Sequence, residues 1–552
     1  MQRKASLLLA LLLLVPAGAA HAAAGLSRPF AQTRTIPPTI TVGVVGQPAS
    51  LDPFFYTAQS SADILAATSD GLLRYAPTNW PANDRHFTWR PDLVSQMPRI
   101  RVQGPPGPDA AVTITYRLRS GLRWSDGARL TSKDVRFTWQ AVMRPGSGAY
   151  QAGYDQITAI DTPNPLTAVV HLRGTYAAWQ TLFSALLPYH ALHARVGSIA
   201  QDTAYNLRPL ATGPYVVVYN KHRRVVLRSN PYYAGQDGPA AKVARIVIRF
   251  YRDEAVLGKA LLSHQVSVAD NLHLSPKSLR TLRRAGMQVK SVPGLGYEQF
   301  TFNLFDPTAG DLSVRRAFYL ALNRQKISRT LSGGLWTIAT ADQAPFSWAY
   351  NPKVPVLRQN IAKARRLLVK DGWQIGPGGY FQKAGQELTL RVSLSFTPAH
   401  AALMQAVRHD EAQAGIRVLP SYYRVAALFG PSGALARGQY QVAEFTLVDS
   451  VDPNDAALWN SDIGNRFTQG DDFSGYDNAA VNAWTQDALA RMHTAPRARD
   501  YRLVQFALYR DLPMVPLFFD SVETAYNPKL VSHITVDDMG GSLWTANRWR
   551  MR

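Results

Sequence analysis

The sequence predicts an α/β protein, and three observations carry that reading. Short segments alternating apolar and polar residues recur as strands; segments with helical spacing and capping residues lie between them; and the alternation runs along the chain with no repeat or low-complexity block. In order, residues 39–45 (TITVGVV) read as a strand ending at Gly46, and 62–73 have the apolar spacing of a helix. Residues 99–111, with Pro105, Pro106 and Pro108, read as a loop, and 112–118 alternate as a strand. Thr131, followed three positions later by Asp134, caps a helix running through Trp139 to Met143. Residues 215–219 and 224–228 are two strands joined by a basic turn, 246–251 a third, and 253–262 a helix. Residues 313–322 and 360–368 are amphipathic helices, and 388–394 alternate as a strand.

Composition narrows the function. With 552 residues, 46% hydrophobic and 18% charged, the chain has length for roughly three or four packing units. It has no cysteine, which removes thiol enzymes, Cys-ligated zinc or iron–sulfur sites, disulfide scaffolds and a lipid-modified N-terminal cysteine. The basic start Met1-Gln2-Arg3-Lys4, the apolar run Ala5 to Val15 and the small residues around Ala20-His21-Ala22 have the form of a secretory signal peptide over 1–22, cut before Ala23. The apolar run is well short of the roughly 20 residues a spanning helix needs. A soluble, untethered, exported protein is therefore expected, in the periplasm. Net charge is +22, but the longest Lys/Arg runs are pairs such as Arg223-Arg224 and Arg365-Arg366, so the charge reads as a dispersed, solvated surface and not a nucleic-acid site.

Chemical motifs are sparse. The sequence holds no His-Glu-x-x-His, Gly-x-Ser-x-Gly, Ser-x-x-Lys or phosphate-cradling Gly-x-x-x-x-Gly-Lys pattern. His190 and His193 have metal-compatible spacing but no nearby third ligand, and Asp471-Asp472 and Asp452 to Asp455 lack a calcium-loop spacing. No catalytic set, metal site or cofactor is expected. Trp124-Ser125-Asp126-Gly127 reads as a tight turn, and Arg315 and Arg316 lie on a helix where at least one should be paired or solvent-facing.

A series of segments resembles one family. Leu118-Arg119-Ser120-Gly121-Leu122-Arg123-Trp124-Ser125-Asp126-Gly127, then Leu130-Thr131-Ser132-Lys133-Asp134-Val135, is similar to the signature of family 5 extracellular solute-binding proteins, the dipeptide/oligopeptide-binding components of ABC importers. Ala211-Thr212-Gly213-Pro214-Tyr215, Asn230-Pro231-Tyr232-Tyr233, Phe302-Asn303 with Val314-Arg315-Arg316-Ala317, Ala321-Leu322-Asn323-Arg324 and Ala362 to Leu368 continue it. Ser474-Gly475-Tyr476-Asp477-Asn478 and Asp511 to Leu517 carry it toward the C-terminus, over roughly residues 40 to 530.

The resemblance implies a two-lobed, type II periplasmic-binding-protein-like fold with an inserted subdomain. Lobe I would comprise 39–70, 205–292 and 515–552, the insertion 71–204, and lobe II 293–514. Crossings near Val292-Pro293-Gly294 and Leu517-Phe518-Phe519 would form a hinge. The implied function is capture of a short peptide and its delivery to a permease with its ATPase, as a monomer and without turnover. Asp449, four residues before Pro453, matches the family's cleft aspartate that pairs with a ligand ammonium; as plain sequence it belongs to an Asp-x-x-Asp-Pro turn in which Asp452 caps a helix over Asn454 to Trp459. Tyr297, Gln299, Tyr422, Tyr423 and Trp459 are the expected cleft residues. Thr446, after Phe445, stands where the family usually has Trp, so a nickel complex, haem, opine, glutathione or sugar stays open as ligand. An exported peptidase or amidase, and an envelope protein holding anionic polymers, are the readings from other classes.

Overall fold

The computed structural model describes residues 38–552 apart from 55–58, 78–86, 146, 148, 150, 234–240, 431, 463–471 and 537–540. The expected signal segment and Asp471 lie outside the described residues.

One 11-stranded mixed sheet organises the chain, in the order Arg417–Tyr423, Thr389–Ser395, Val442–Val448, Gln288–Phe302, Met514–Tyr526, Val268–Leu272, Thr39–Val45, Arg245–Tyr251, Arg224–Ser229 and Tyr215–Lys221, with Thr337–Ile338 against Met514–Tyr526. Its centre is an antiparallel pair of long strands, Gln288–Phe302 (15 residues) and Met514–Tyr526 (13 residues). At one end, 288–293 pair with 521–526 and Val268–Leu272 joins them; at the other, 297–301 pair with 514–519 and Val442–Val448 joins them. Each long strand therefore serves two half-sheets.

The register slips where the halves meet. Pro293 opposes Ser521 and Tyr297 opposes Phe519, so Gly294, Leu295 and Gly296 face Asp520 alone. Proline, which has no N–H to give, fits such a bulge. The glycines are needed for close approach: a Cβ on Gly294 would lie 2.3 Å from Asp520 Oδ1, and one on Gly296 2.7 Å from Oδ2. Burial pushes the Asp520 carboxyl up to about 6, with the Gly296 N–H pulling the other way.

Each half has its own core. Ile40, Val42, Val44, Ile246, Ile248 and Phe250 pack with Ile64, Leu543 and Trp549 in the first. Phe300, Phe302, Leu390, Val392 and Leu394 pack with Phe318, Leu368 and Val407 in the second. Between residues 99 and 173 lies a separate four-stranded antiparallel sheet, ordered Arg99–Gln103, Ala111–Arg117, Thr167–Arg173, Ile157–Asn164. The helix Ser132–Val142 covers it, sealing a core that includes Val112, Ile114, Tyr116, Trp124, Val135 and Phe183. Asp134 accepts the Thr131 N–H at 2.7 Å, completing the expected cap, and also the Tyr189 N–H at 2.9 Å.

Two expectations are corrected. The loop over 99–111 is in its first part the strand Arg99–Gln103, leaving the prolines in the turn that follows; its side chains are almost all exposed, so no apolar alternation marks it, and pairing with Ala111–Arg117 creates it. The helix over 62–73 is Gln59–Thr68, followed by the strand Leu73–Pro77. Gly71 separates them at a close approach, where a Cβ would meet Ser184 O at 2.6 Å.

Candidate ligand-binding site

In the second half-sheet, Thr389–Ser395 runs parallel to both Arg417–Tyr423 and Val442–Val448, so the three strands end along one edge. Apolar side chains stand in solvent there: Phe396 is 65% exposed and Val448 75%, with Tyr422 and Val425 also exposed. The Phe396 and Tyr422 rings meet edge to face at 5.4 Å between centroids. Exposed apolar side chains gathered along one edge are the mark of a contact surface.

The loop leaving Val448 adds charge to that edge. Asp449 is half-buried; its N–H donates to Leu295 O at 3.1 Å and its Oδ1 accepts the Ser450 N–H at 2.6 Å. Behind it, Asp342 Oδ2 accepts the Trp459 Nε1–H at 2.7 Å and Asp455 Oδ1 accepts from Gln343 Nε2 at 3.0 Å. Asp342 Oδ1, Asp455 Oδ2 and the Tyr297 hydroxyl are buried without a partner. Burial, then the charges of Asp342 and Asp452, push the Asp449 carboxyl up to about 7 against the Ser450 N–H. Burial likewise raises Asp342 to about 6, and burial with the charges of Asp342 and Asp449 holds Asp455 well above the usual carboxylate range. Three neighbouring carboxyls that resist ionising together gain most from an arriving cation.

The nearest built-in cation is already committed. Arg497 and Asp452 are a fully buried ion pair, with Arg497 Nη1 3.1 Å from Asp452 Oδ2, and Arg497 also donates to Ala177 O at 3.0 Å. Asp452 therefore does not cap the next helix, as the turn reading expects. That helix is Ala456–Trp459, preceded by Asp455 without a side-chain cap. The carboxylate goes instead to a buried guanidinium that neutralises it in a water-free interior.

The remaining expected residues divide by burial. Tyr422 stands on the exposed edge, and Tyr423 lines a separate cavity of about 710 Å³ with Arg391, Ser393, Ser421 and Arg437. Tyr297, Gln299 and Trp459 are buried; Tyr297 and Trp459 belong to one packed cluster with Phe346 and Phe519, so they back the edge where a cleft wall is expected. Trp459 acts on the site by fixing Asp342. His190 Nε2 lies 2.8 Å from Asp126 Oδ2 and His193 Nδ1 2.9 Å from Tyr189 O, so the two rings turn to separate partners. Arg315 is buried, donating to Asp511 O at 2.9 Å, while Arg316 caps Arg510 O from the surface at 2.9 Å. Sequence reading missed Asp342 and Gln343, which sit in no motif. It also missed Glu298, His400 and Glu444, which come from three elements and meet as a possible ligand set.

No helix among the described residues is long and apolar enough to cross a membrane. The family described as bacterial extracellular solute-binding proteins, family 5 Middle, matches residues 109–469. A dipeptide-binding protein of Pseudomonas aeruginosa is 23% identical over 513 residues, covering 88% of this chain and 89% of the relative. Protein XP55 of Streptomyces lividans is 25% identical over 388 residues, 69% of this chain and 66% of that protein; with relatives from Brucella the match spans 57% of their length. Among solved structures, the oligopeptide-binding protein AppA of Bacillus subtilis in complex with a nonapeptide aligns with a TM-score of 0.63 at 18% identity, over 93% of this chain and 99% of that one. The unliganded open form of the murein tripeptide-binding protein MppA aligns at 0.75 and 15%, over 94% and 98%. The fold is thus the two-lobed type II arrangement, and the match over 109–469 establishes that this chain belongs to the bacterial extracellular solute-binding proteins of family 5.

Proposed function

We propose that the protein captures short peptides in the periplasm, closing lobe I (39–70, 205–292, 515–552, with its insertion 71–204) and lobe II (293–514) over them, and hands them to an ABC-transporter permease. The observation carrying this reading is Asp449: a half-open carboxylate beside two buried carboxyls, at an apolar edge, with the neighbouring arginine spent on Asp452. A peptide N-terminus supplies the missing positive charge, and the exposed Phe396, Tyr422 and Val448 offer contact without fixing side-chain identity. The register slip at 293–297 and Asp520 gives closure a place to bend. Binding without turnover needs no catalytic set, and the names of the Pseudomonas and Bacillus relatives support a peptide over the other solutes.

Calorimetry with a mixed tripeptide library and its N-acetylated counterpart tests this. The free-amine library should bind and remain uncleaved, and acetylation or Asp449→Asn should weaken it by about 10–150-fold, the equivalent of a charge-assisted hydrogen bond of about 1.5–3 kcal/mol. Equal binding of both libraries removes Asp449 as the ammonium site. Steady cleavage returns the protein to the peptidase reading, and a co-purifying metal complex or sugar in native mass spectrometry replaces the peptide.

A further inference from the structure

A second acidic cluster lies on the same half-sheet. Glu298 and Glu444 sit on neighbouring antiparallel strands, where Glu298 opposes Thr446 and Phe300 opposes Glu444, so the two carboxylates are diagonal neighbours on one face. His400 reaches them from the first turn of the helix Pro398–Ala414. One ligand atom from each of the three residues lies within 4.8 Å of the others.

Three details point to a bound cation. Glu444 is fully buried, yet both of its carboxylate oxygens lack a hydrogen-bond partner. His400 Nδ1 is 2.7 Å from Ser395 O, and a carbonyl can only accept, so Nδ1 carries the proton. In the neutral ring that leaves the Nε2 lone pair 3.9 Å from Glu298 Oε1, itself without a partner. A ring N–H anchored to a backbone carbonyl is the usual outer support of a metal-binding histidine. Finally, Thr446, the residue departing from the family's tryptophan, donates its hydroxyl to Glu298 Oε2 at 2.7 Å and so turns Oε1 toward His400.

We propose that Glu298, His400 and Glu444 bind a divalent metal ion of the zinc class. One imidazole with two carboxylates suits that class, and three protein ligands leave a position open to a water or a solute. Ligand bonds of about 2.0–2.2 Å place tetrahedral donors about 3.3–3.6 Å apart, close to the observed 3.9 Å pair. Glu298 and His400 are both partly exposed and form the entry; Glu444 is the floor.

The test is titration of the purified, chelator-treated protein with cobalt(II), read by its visible absorption, and with zinc by calorimetry. One saturable equivalent is expected, lost by at least tenfold in affinity in Glu444→Gln and His400→Gln and retained in His193→Gln. Glu444→Gln replaces an unpaired buried carboxyl with a neutral group and should keep or raise the melting temperature; His400→Gln, at the rim, carries the test if that variant fails to fold. No saturable binding, or binding that both variants retain, overturns the proposal. The first result would mark the two glutamates as a pair sharing a proton, and either leaves the Asp449 reading untouched.

Discussion

Two acidic turns look alike in sequence and differ in what they leave unsatisfied. In the turn Trp124–Gly127, Asp126 Oδ1 accepts the Ala128 N–H at 3.0 Å and Oδ2 meets His190 Nε2 at 2.8 Å. Slight burial works against it, but these bonds prevail and the carboxyl sits below its usual range. In the loop Asp449–Asp455, Asp452 is neutralised by Arg497, while burial pushes Asp449 and Asp455 upward, helped by the charges of Asp342 and Asp452 at the first and of Asp342 and Asp449 at the second. The first turn is finished as a structural unit; the second is half finished, and its partly exposed carboxyl, Asp449, directly follows Val448 of the apolar edge. Counting donors separates a fold device from a binding site where residue type does not.

The comparison breaks most readily at Arg497. Arg497→Met keeps the stem and removes the charge, stranding Asp452 in a dry interior. A loss of about 3–5 kcal/mol in denaturant unfolding is expected, with Asp452→Asn of the same order. Asp449→Asn removes a carboxyl whose ionisation burial opposes, and should keep or raise stability at neutral pH. If Asp449→Asn costs as much as Arg497→Met, the loop is structural throughout and its division into a paired and an open half fails.

A smaller effect sharpens the same contrast through pH. Asp449 holds its proton up to about pH 7, so an ammonium ligand arriving at pH 5.5 must displace that proton first. Affinity for a free-amine peptide should rise toward pH 7.5, by at most about tenfold per pH unit, and the rise should vanish in Asp449→Asn. Stability runs the other way. The folded state keeps a proton that the unfolded chain releases near pH 4, so the Asp449 contribution falls as pH climbs from about 4 through 7. An affinity profile flat across this range in the parent protein removes Asp449 from the ligand's path.

How far the sequence reached differs by element. The hairpin of Tyr215–Lys221 and Arg224–Ser229 is legible because its alternation is local, although the turn uses His222 and Arg223 at φ 52° and 56° where glycine is the ordinary choice. Arg99–Gln103 is illegible because an exposed edge strand carries no burial pattern. Asp449 is visible only through its match to a family position; nothing in Val448-Asp449-Ser450 distinguishes it from any turn. The supports of the site are hidden for a different reason. Asp342, Gln343 and Trp459 reach the loop from outside it, and Glu298, His400 and Glu444 are separated by up to 146 positions and joined by sheet register alone. Buried aromatic residues mislead in the same way: Tyr297 and Trp459 have the composition of a cleft wall and the location of a core.

The smallest predicted effect lies in the finished turn, and it is the control that the comparison needs. Asp126→Asn keeps the side-chain oxygen that accepts the Ala128 N–H and loses only the charge facing His190, a partly exposed pair worth about 0–1 kcal/mol. Because the parent carboxyl is held below its usual value, its contribution is present above the unfolded value near pH 4 and is lost as pH falls through the folded one. Asparagine cannot titrate, so the two proteins should converge in stability at acid pH and differ slightly at neutral pH. Ligand affinity should be unchanged at both. A loss of peptide binding in Asp126→Asn would mean that the inserted sheet takes part in recognition, and that satisfied hydrogen bonds are no guide to which acidic turn meets the ligand.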